Sequence, residues 1–483
     1  MSSLIPPVDA MFLLSEGRER PMHVGGLQLF RPPPDAGPRY PAELYRDSLD
    51  HDVMPRLRRR PRRTMLGLGP WVWEEDEHLD IEYHLRHSAL PNPGRVHELL
   101  ALTSRLHGTL LDRTRPLWEA HIIEGLADGR FAVYTKIHHA LVDGVAAVKL
   151  LEHATSADPD ERDMPPPFAP RRRRQRRDDG AGDDDGLAAK VLSAGRTVGA
   201  AARMTAEGAR AGLGASNAAV RTLVRSFRDQ AATLPYQAPR SILNAPISGA
   251  RRYAADSWPL SELKAVGKEL GGTVNDVVLA MCAGALRRYL QDLDALPDKP
   301  LVAMVPVSLR LREPGDRVGN PETASSGNAV GIILCNLATH LEDPAARFEL
   351  IVKSSSEGKM TLEGLNQWGV LLLSALSMAG VGIGIAPFYD DVRAIRRPPF
   401  NVIISNVPGP RERRYWNGAE MEGLYPVSIP FDGQALNITV ESYADRMGFG
   451  LIGCRRTVPH LQRLLDHLDT TLGELKELAG IAD

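Results

Sequence analysis

A strand, a pair of histidines and a helix follow one another between residues 131 and 153, and this succession constrains the fold more than any other feature. Residues 131–137 alternate between two faces, which is the period of a β-strand. The motif His-His-Ala-Leu-Val-Asp-Gly occupies residues 138–144, and Val145, Val148 and Leu151 then recur at helical spacing. The histidines are therefore expected where a strand ends and a helix begins, a position in which rigid flanking elements hold a catalytic side chain.

The chemistry of this motif suits proton transfer. Histidine is the one side chain whose unperturbed pKa, about 6.5, allows it to accept and return a proton near neutral pH. Asp143 could orient a neighbouring side chain or cap the following helix, and Gly144 would let the backbone pack closely at the turn. By spacing alone, a catalytic pair and a structural strand end with an N-cap aspartate are equally compatible with the motif.

Length and composition limit the classes of protein that the chain can belong to. A chain of 483 residues is too long for one ordinary core, so two domains are expected. With a net charge of −2, no overall electrostatic field favours a nucleic-acid partner, and none is expected. The three cysteines are scattered without a zinc-binding spacing, which fits a reducing compartment. Residues 1–16 lack the basic start and long apolar run of a signal peptide, so a cytoplasmic location is expected.

Several common catalytic and cofactor motifs are missing from the sequence. There is no Gly-x-Ser-x-Gly nucleophile elbow and no phosphate-binding Gly-x-x-x-x-Gly-Lys loop. Gly380, Gly382 and Gly384 do not have the dinucleotide-binding spacing. His97 and Glu98 are not followed by a histidine at position 101, so no zincin helix forms. The sequence therefore predicts no metal site and no covalent serine mechanism.

Three segments have unusual compositions. Residues 158–186 carry a proline-rich stretch and then opposite blocks of charge, which predicts a mobile linker. Residues 187–234 are alanine-rich and helical in pattern, with Arg196, Arg203 and Arg210 near one face; a surface helix is favoured over membrane contact. Residues 370–388 are apolar over a length close to the roughly 18 residues of a membrane span, but glycines and a proline interrupt them. A buried or interfacial element beside an apolar channel is favoured there.

A basic run of arginines, residues 56–63, allows two interpretations. The favoured one is a solvated helix end, because exposed charge runs are most often that. The alternative is contact with the phosphates of a nucleotide-bearing donor or with an anionic membrane.

The second half of the chain predicts further strands between helices. Apolar strands are expected at residues 301–307, 329–337, 401–405, 436–442 and 449–454. Helices are expected at residues 260–270 and 273–290, with Asn275 and Asp276 at the start of the second, and at the leucine-striped C-terminus. This succession predicts an α/β protein with mixed sheets. The predicted organisation is an N-terminal lobe at residues 1–157, a charged linker with helices at 158–240 and a C-terminal lobe at 241–483.

An ordered set of short motifs resembles one protein family. The His-His-x-x-x-Asp-Gly spacing is similar to the signature of coenzyme-A-dependent acyltransferases and peptide-synthetase condensation domains. Further segments resemble, in the same order along the chain, the bacterial wax ester synthase/diacylglycerol acyltransferases. These segments are Pro21-Met22-His23-Val24-Gly25, Pro116-Leu117-Trp118, Asn275-Asp276, Pro306-Val307-Ser308-Leu309-Arg310 and Ser405-Asn406-Val407-Pro408-Gly409-Pro410.

The resemblance implies a fold and a division of roles among the motif residues. The fold would be two-lobed, like chloramphenicol acetyltransferase and condensation domains, with a channel between the lobes. His139 would be the general base and His138 its support, while Asp143 would be a structural acid paired with Arg310. Gly144 completes the motif. Asn275 and Asp276 match a motif that is important to activity in the family. Whether they would act by capping a helix, by positioning other groups or by contacting substrate is left open.

The resemblance also implies the substrates. The donor would be a long-chain acyl-CoA, with coenzyme A as part of a co-substrate and no bound cofactor. The acceptor would be diacylglycerol or a fatty alcohol. Two alternatives remain: a condensation-type or glycolipid acyltransferase that uses another donor or acceptor, and a non-catalytic lipid-binding protein. Peripheral attachment to the inner membrane face or to lipid inclusions, and a homodimer, stay open.

Overall fold

The computed structural model describes residues 3–64, 69–141, 144–170, 237–310, 328–363 and 397–481. Several predicted features lie outside these ranges. They are Asp143, the end of the charged linker, the helical segment with Arg196, Arg203 and Arg210, and the apolar stretch 370–388. The backbone of Arg310 lies in a strand, but its side chain is outside the described part. The predicted Asp143–Arg310 pair therefore stays a prediction.

The described helices and strands alternate along the chain. The helices are α1 (Pro7–Ser15), α2 (Tyr40–Leu49), α3 (Ile81–His84), α4 (Val96–His107), α5 (Gly144–Ala154), α6 (Leu260–Glu269), α7 (Val274–Asp292), α8 (Pro344–Glu363) and α9 (Arg463–Leu478). The strands are β1 (Ser3–Leu4), β2 (His23–Arg31), β3 (Arg59–Arg63), β4 (Trp71–Glu75), β5 (Leu85–Ala89), β6 (Trp118–Glu124), β7 (Phe131–His138), β8 (Arg251–Pro259), β9 (Val302–Arg310), β10 (Asn328–Asn336), β11 (Val402–Val407), β12 (Tyr415–Trp416), β13 (Ala419–Val427), β14 (Leu436–Tyr443) and β15 (Arg446–Cys454). The predicted α/β class is confirmed.

The chain forms two compact units that each combine separate stretches of sequence. The first unit contains Met1–Arg174, Ser241–Leu296 and Val402–Asp483, and the second contains Gln175–Arg240 and Pro297–Asn401. The predicted lobe boundaries at residues 157 and 240 stay a prediction. The second unit contains the antiparallel hairpin of β9 and β10, with helix α8 packed on β10.

The histidine strand lies inside a six-stranded sheet of the first unit, in the order β12-β13-β2-β7-β6-β5. Strands β6 and β7 form an antiparallel hairpin, and β2 pairs with the other side of β7 so that His23 lies opposite His138. Because alternate residues of a strand face opposite sides, Phe131 and Val133 enter one apolar cluster while Ala132 and Tyr134 enter another. Both faces of β7 are therefore buried, and this holds the end of the strand rigidly.

A second group of strands in the first unit has the order β11-β14-β15-β8. Strand β15 approaches β13 of the other sheet closely. A Cβ atom at Gly448 would lie 2.1 Å from the carbonyl oxygen of Leu424, and one at Gly450 would lie 1.8 Å from that of Pro426. Only glycine permits this contact between two backbones. Helix α9 buries its predicted leucine stripe against α7, with roughly 1.5–3 kcal/mol expected for each fully buried leucine.

The basic run differs from its predicted structure. It forms a 3-10 helix at Pro55–Arg58 and then strand β3, which pairs with β4 in a three-stranded sheet of order β1-β4-β3. The predicted helix end is therefore wrong. Pro61 lacks the N–H group that a helix needs, and acidic residues at the end of β4 lie opposite the arginines in register. Ion pairs join Arg60 and Arg62 to Glu74 at 3.4 and 3.2 Å.

Among the helices of the described ranges, none is both long and apolar enough to cross a lipid bilayer.

Candidate active site

The backbone of the histidine pair is held by two of the other family-like segments. The N–H of His138 donates to the carbonyl of Leu117 at 3.0 Å, and the N–H of His139 donates to the carbonyl of Met22 at 2.9 Å. The carbonyl of His138 accepts from the N–H of Leu141 at 2.8 Å, which closes a tight turn after β7. Segments that are far apart in the sequence therefore fix the same turn from both sides.

His138 is the buried member of the pair. Its side chain has no exposed area, and its Nδ1 accepts the backbone N–H of Ala140 at 3.1 Å. Because a backbone N–H can only donate, Nδ1 is the accepting nitrogen and the ring proton is assigned to Nε2. Nε2 lies 3.5 Å from Oε1 of Glu16, longer than an ordinary hydrogen bond. The lone pair on Nδ1, which a general base would use to accept a proton, is therefore already engaged by the N–H of Ala140.

His139 is the accessible member. Its side chain is only half-buried, and its ring stacks on Phe12 of α1 with a centroid distance of 4.1 Å and an interplanar angle of 13°. This contact holds the plane of the imidazole ring. The two adjacent histidines therefore differ in burial, and His139 is the one that a substrate can reach.

Glu16 and Phe12 are contacts of the histidines that the sequence did not single out. The Glu16 carboxylate is 2% exposed, and it accepts from the N–H of Met22 at 3.2 Å and from Nε of Arg113 at 2.9 Å. Burial tends to raise the pKa of Glu16, but His138, the Met22 N–H and Arg113 together hold that pKa below its ordinary value. Glu16 is therefore a carboxylate at neutral pH, beside the protonated nitrogen of His138.

A buried lysine lies behind the histidine turn. Lys136 precedes His138 by two residues on the same face of β7, and its side chain has no exposed area. Its Nζ donates to the carbonyls of Leu106 and Thr109 at 3.1 and 3.0 Å, and lies 3.2 Å from Glu119. Burial raises the pKa of Glu119, but His121, Lys136 and Arg86 outweigh it and lower that pKa to about 2. The lysine thus ties β7 to the end of α4.

Two more buried histidines stay neutral. The side chain of His23 bonds through Nε2 to the carbonyl of His107 at 2.7 Å. His107 in turn bonds to the Ser428 carbonyl at 2.9 Å and accepts from the Tyr134 hydroxyl at 2.8 Å. Burial lowers the pKa of His107 to about 3 and places that of His23 well below its ordinary range. Neither ring therefore takes up a second proton at neutral pH.

The Asn275-Asp276 segment forms the start of helix α7. Oδ2 of Asp276 accepts from the N–H of Thr273 at 2.9 Å, and the Thr273 hydroxyl accepts from the N–H of Asp276 at 3.4 Å. This reciprocal capping satisfies two backbone donors. The described contacts of Asp276 are those of a cap, and a role of Asn275 or Asp276 in the reaction stays a prediction.

The other predicted site residues are placed only in part. Gly144 is the first residue of α5, so a helix begins where the motif predicts one. The structure does not describe Asp143 or the side chain of Arg310. Within the part of the chain that it does describe, no group of three or more histidine, cysteine, aspartate or glutamate side chains could hold a metal ion.

Comparison with known proteins identifies the family. Residues 5–278 match the wax ester synthase/diacylglycerol acyltransferase catalytic domain, and residues 326–476 match the C-terminal domain of the same family. A Mycobacterium tuberculosis protein named "probable diacylglycerol O-acyltransferase" is 49% identical over 482 residues, covering 99% of this chain and all of that protein. The O-acyltransferase WSD of Acinetobacter baylyi is 41% identical, covering 96% of this chain and 94% of its own.

Solved structures show the same relationship. The wax ester synthase/diacylglycerol acyltransferase from Marinobacter aquaeolei VT8 matches with a TM-score of 0.75 and 40% identity, covering 99% of this chain and all of that one. The starter condensation domain of rhizomide synthetase matches with a TM-score of 0.54 and 11% identity, covering all of this chain and 95% of that one. This second match shows a shared fold, and the expected condensation-domain-like architecture is confirmed.

Proposed function

Since the chain belongs to the wax ester synthase/diacylglycerol acyltransferase family, we propose that it is an O-acyltransferase with a long-chain acyl-CoA as its donor. The acceptor is the hydroxyl of diacylglycerol, of a long-chain alcohol, or of both, and the product is triacylglycerol or a wax ester. The observation that carries this proposal is the asymmetry of the histidine pair. His138 is buried with Nδ1 engaged, whereas His139 is half-buried and stacked on Phe12.

In the proposed reaction His139 is the general base. It takes the proton from the acceptor hydroxyl as that oxygen attacks the thioester carbonyl. The new C–O bond forms, the C–S bond breaks, and the proton passes to the departing thiolate of coenzyme A. No covalent acyl-enzyme is needed, and a positioned histidine base typically contributes about 10² to 10⁴ in rate.

The remaining motif residues have supporting roles in this proposal. His138 holds the turn through Ala140, and its buried ring is the rigid neighbour of the base. Asp143 is a structural acid whose partner is Arg310, because the planar guanidinium fork matches a carboxylate. Both acceptors carry long alkyl chains that partition into lipid at about 0.8 kcal/mol per buried CH₂. Peripheral contact with the inner membrane face or with lipid inclusions is therefore part of the proposal.

The test incubates the purified protein with radiolabelled palmitoyl-CoA and either dioleoylglycerol or hexadecanol. We expect labelled triacylglycerol or wax ester, and loss of both products in His139→Ala. A reaction without an acceptor controls for hydrolysis. If the protein ignores palmitoyl-CoA and uses a palmitoylated carrier protein, the condensation-type alternative is correct. If it binds lipid without turning over either donor, it is a lipid-binding protein.

A further inference from the structure

One arginine of the basic run contacts the histidine turn. The guanidinium of Arg56 donates from Nη2 to the carbonyl of Leu141. Leu141 lies two residues after His139 and two before Asp143. Other arginines of the run face the acidic end of β4: Arg58 lies 3.7 Å from Glu75, and Arg62 lies 3.2 Å from Glu74. This bond of Arg56 therefore reaches a different part of the molecule from the ion pairs of Arg58 and Arg62.

The backbone that carries Arg56 is firmly anchored. The N–H of Met54 donates to the carbonyl of Phe168 at 2.9 Å, and the carbonyl of Leu57 accepts from the indole N–H of Trp118 at 2.8 Å. The Leu57 side chain is 2% exposed and belongs to the same apolar cluster as Leu141. A side chain that extends from such a firmly held backbone can restrain the loop that it contacts, because its own backbone does not move with that loop.

The Leu141 carbonyl is at the end of the histidine turn. The N–H groups of His138, His139, Ala140 and Leu141 all have partners: the first two bond to Leu117 and Met22, and the last two bond back to His138. These bonds fix the entry into the turn and its middle. The bond from Arg56 to the Leu141 carbonyl fixes the exit, and a bond from a charged donor is stronger than one between neutral groups.

We propose that Arg56 is a positioning residue for the acyl transfer reaction, holding the turn that presents His139 through the carbonyl of Leu141. This inference rests on the proposed function. A shift of about 1 Å in a reacting group can cost about 100-fold in rate, so a loosened turn lowers kcat. Contact of the arginine run with the phosphates of the donor, the alternative raised by its sequence, would instead raise KM for acyl-CoA.

The test compares Arg56→Gln and Arg56→Lys with two donors, palmitoyl-CoA and palmitoyl-N-acetylcysteamine, which carries no phosphate. For Arg56→Gln we expect kcat to fall by about 10- to 100-fold with both donors and KM to change little. Glutamine is shorter than arginine and uncharged, whereas lysine is longer than glutamine and keeps a charged donor, so Arg56→Lys recovers part of the loss. The matched control is Arg62→Gln, which removes an arginine of the same run whose partner is Glu74.

Two results would overturn the inference. One is a raised KM for palmitoyl-CoA with normal kinetics on the phosphate-free donor, which would make Arg56 a phosphate contact. The other is unchanged kcat in Arg56→Gln. A readout independent of activity uses the ring proton resonance of His139, assigned by its loss in His139→Ala. We expect Arg56→Gln to shift or broaden this resonance and Arg62→Gln to leave it unchanged. If wild-type protein transfers no acyl group, the proposed function fails, while this resonance still decides whether Arg56 holds the turn.

Discussion

A buried carboxyl that takes no part in the proposed reaction makes the stability of the protein depend on pH. Glu441 lies on β14 and is 7% exposed. Its carboxyl lies beside Gly409, whose backbone passes close to β14. A Cβ atom at Gly409 would lie 3.2 Å from Oε1 of Glu441 and 2.2 Å from the carbonyl oxygen of Ser442. Within the described residues its carboxyl has no ion pair, and burial alone raises its pKa from 4.5 to about 8.

The direction of the effect follows from proton binding. The native state keeps the proton of Glu441 up to about pH 8, whereas the unfolded chain loses it near pH 4.5. The stabilising contribution is therefore complete below the unfolded pKa and is lost as pH rises toward the folded pKa. Each pH unit in this window costs about 1.4 kcal/mol, so the loss reaches at most roughly 3 kcal/mol at pH 7. It reaches at most roughly 4 kcal/mol at pH 8, where half of the native carboxyl is already ionised.

Glu441→Gln tests this reasoning because it keeps the shape of the side chain and removes the titration. We expect the variant to gain stability over wild type with rising pH, by about 1 kcal/mol per unit between pH 5 and pH 8. The assay is urea unfolding at four pH values with the m-value checked at each. The matched control is Glu412→Gln, at an exposed position. A stability difference that is constant across this range, or that falls with pH, would refute the assignment.

Three further outcomes are expected. His139→Ala keeps the wild-type melting temperature and lowers acyl transfer by about 10² to 10⁴; near-normal release of coenzyme A would remove its role as base. Asp143→Ala lowers both activity and melting temperature, and an unchanged melting temperature would contradict a structural pair with Arg310. Gly450→Ala destabilises the protein by about 1–3 kcal/mol, because its Cβ atom meets the carbonyl oxygen of Pro426. The control is Gly473→Ala in α9, where nothing lies within 4 Å of the added Cβ atom, and it stabilises by about 0.5–1 kcal/mol. Equal effects of the two substitutions in urea unfolding would refute the close approach of β15 to β13.

The succession of strand, histidine pair and helix could be predicted because its signals are local. Alternation along residues 131–137 requires no knowledge of distant contacts, and β7 and α5 are where that pattern places them. The same is true of β14 and α9.

The surroundings of the histidines could not be predicted, because they come from distant parts of the chain. Phe12 and Glu16 have ordinary sequence neighbours, and only the tertiary fold brings them to His139 and His138. The structure predicted for the basic run was wrong for a related reason. Its composition is that of a solvated helix end, but the acidic residues of β4 provide partners that a strand can use.

The pairing of β13 with β2 has a consequence for the order in which the protein can fold during synthesis. Arg31 of β2 pairs with Glu420 of β13, and β2 also pairs with β7 on its other side. At 5–20 residues per second, the ribosome needs about 20–80 s to make the roughly 390 residues between these partners. Until then the edge of β2 that faces away from β7 has no partner strand, and an exposed edge can pair with other chains. Expression of the first 278 residues alone, which lack β13, should therefore yield aggregated protein.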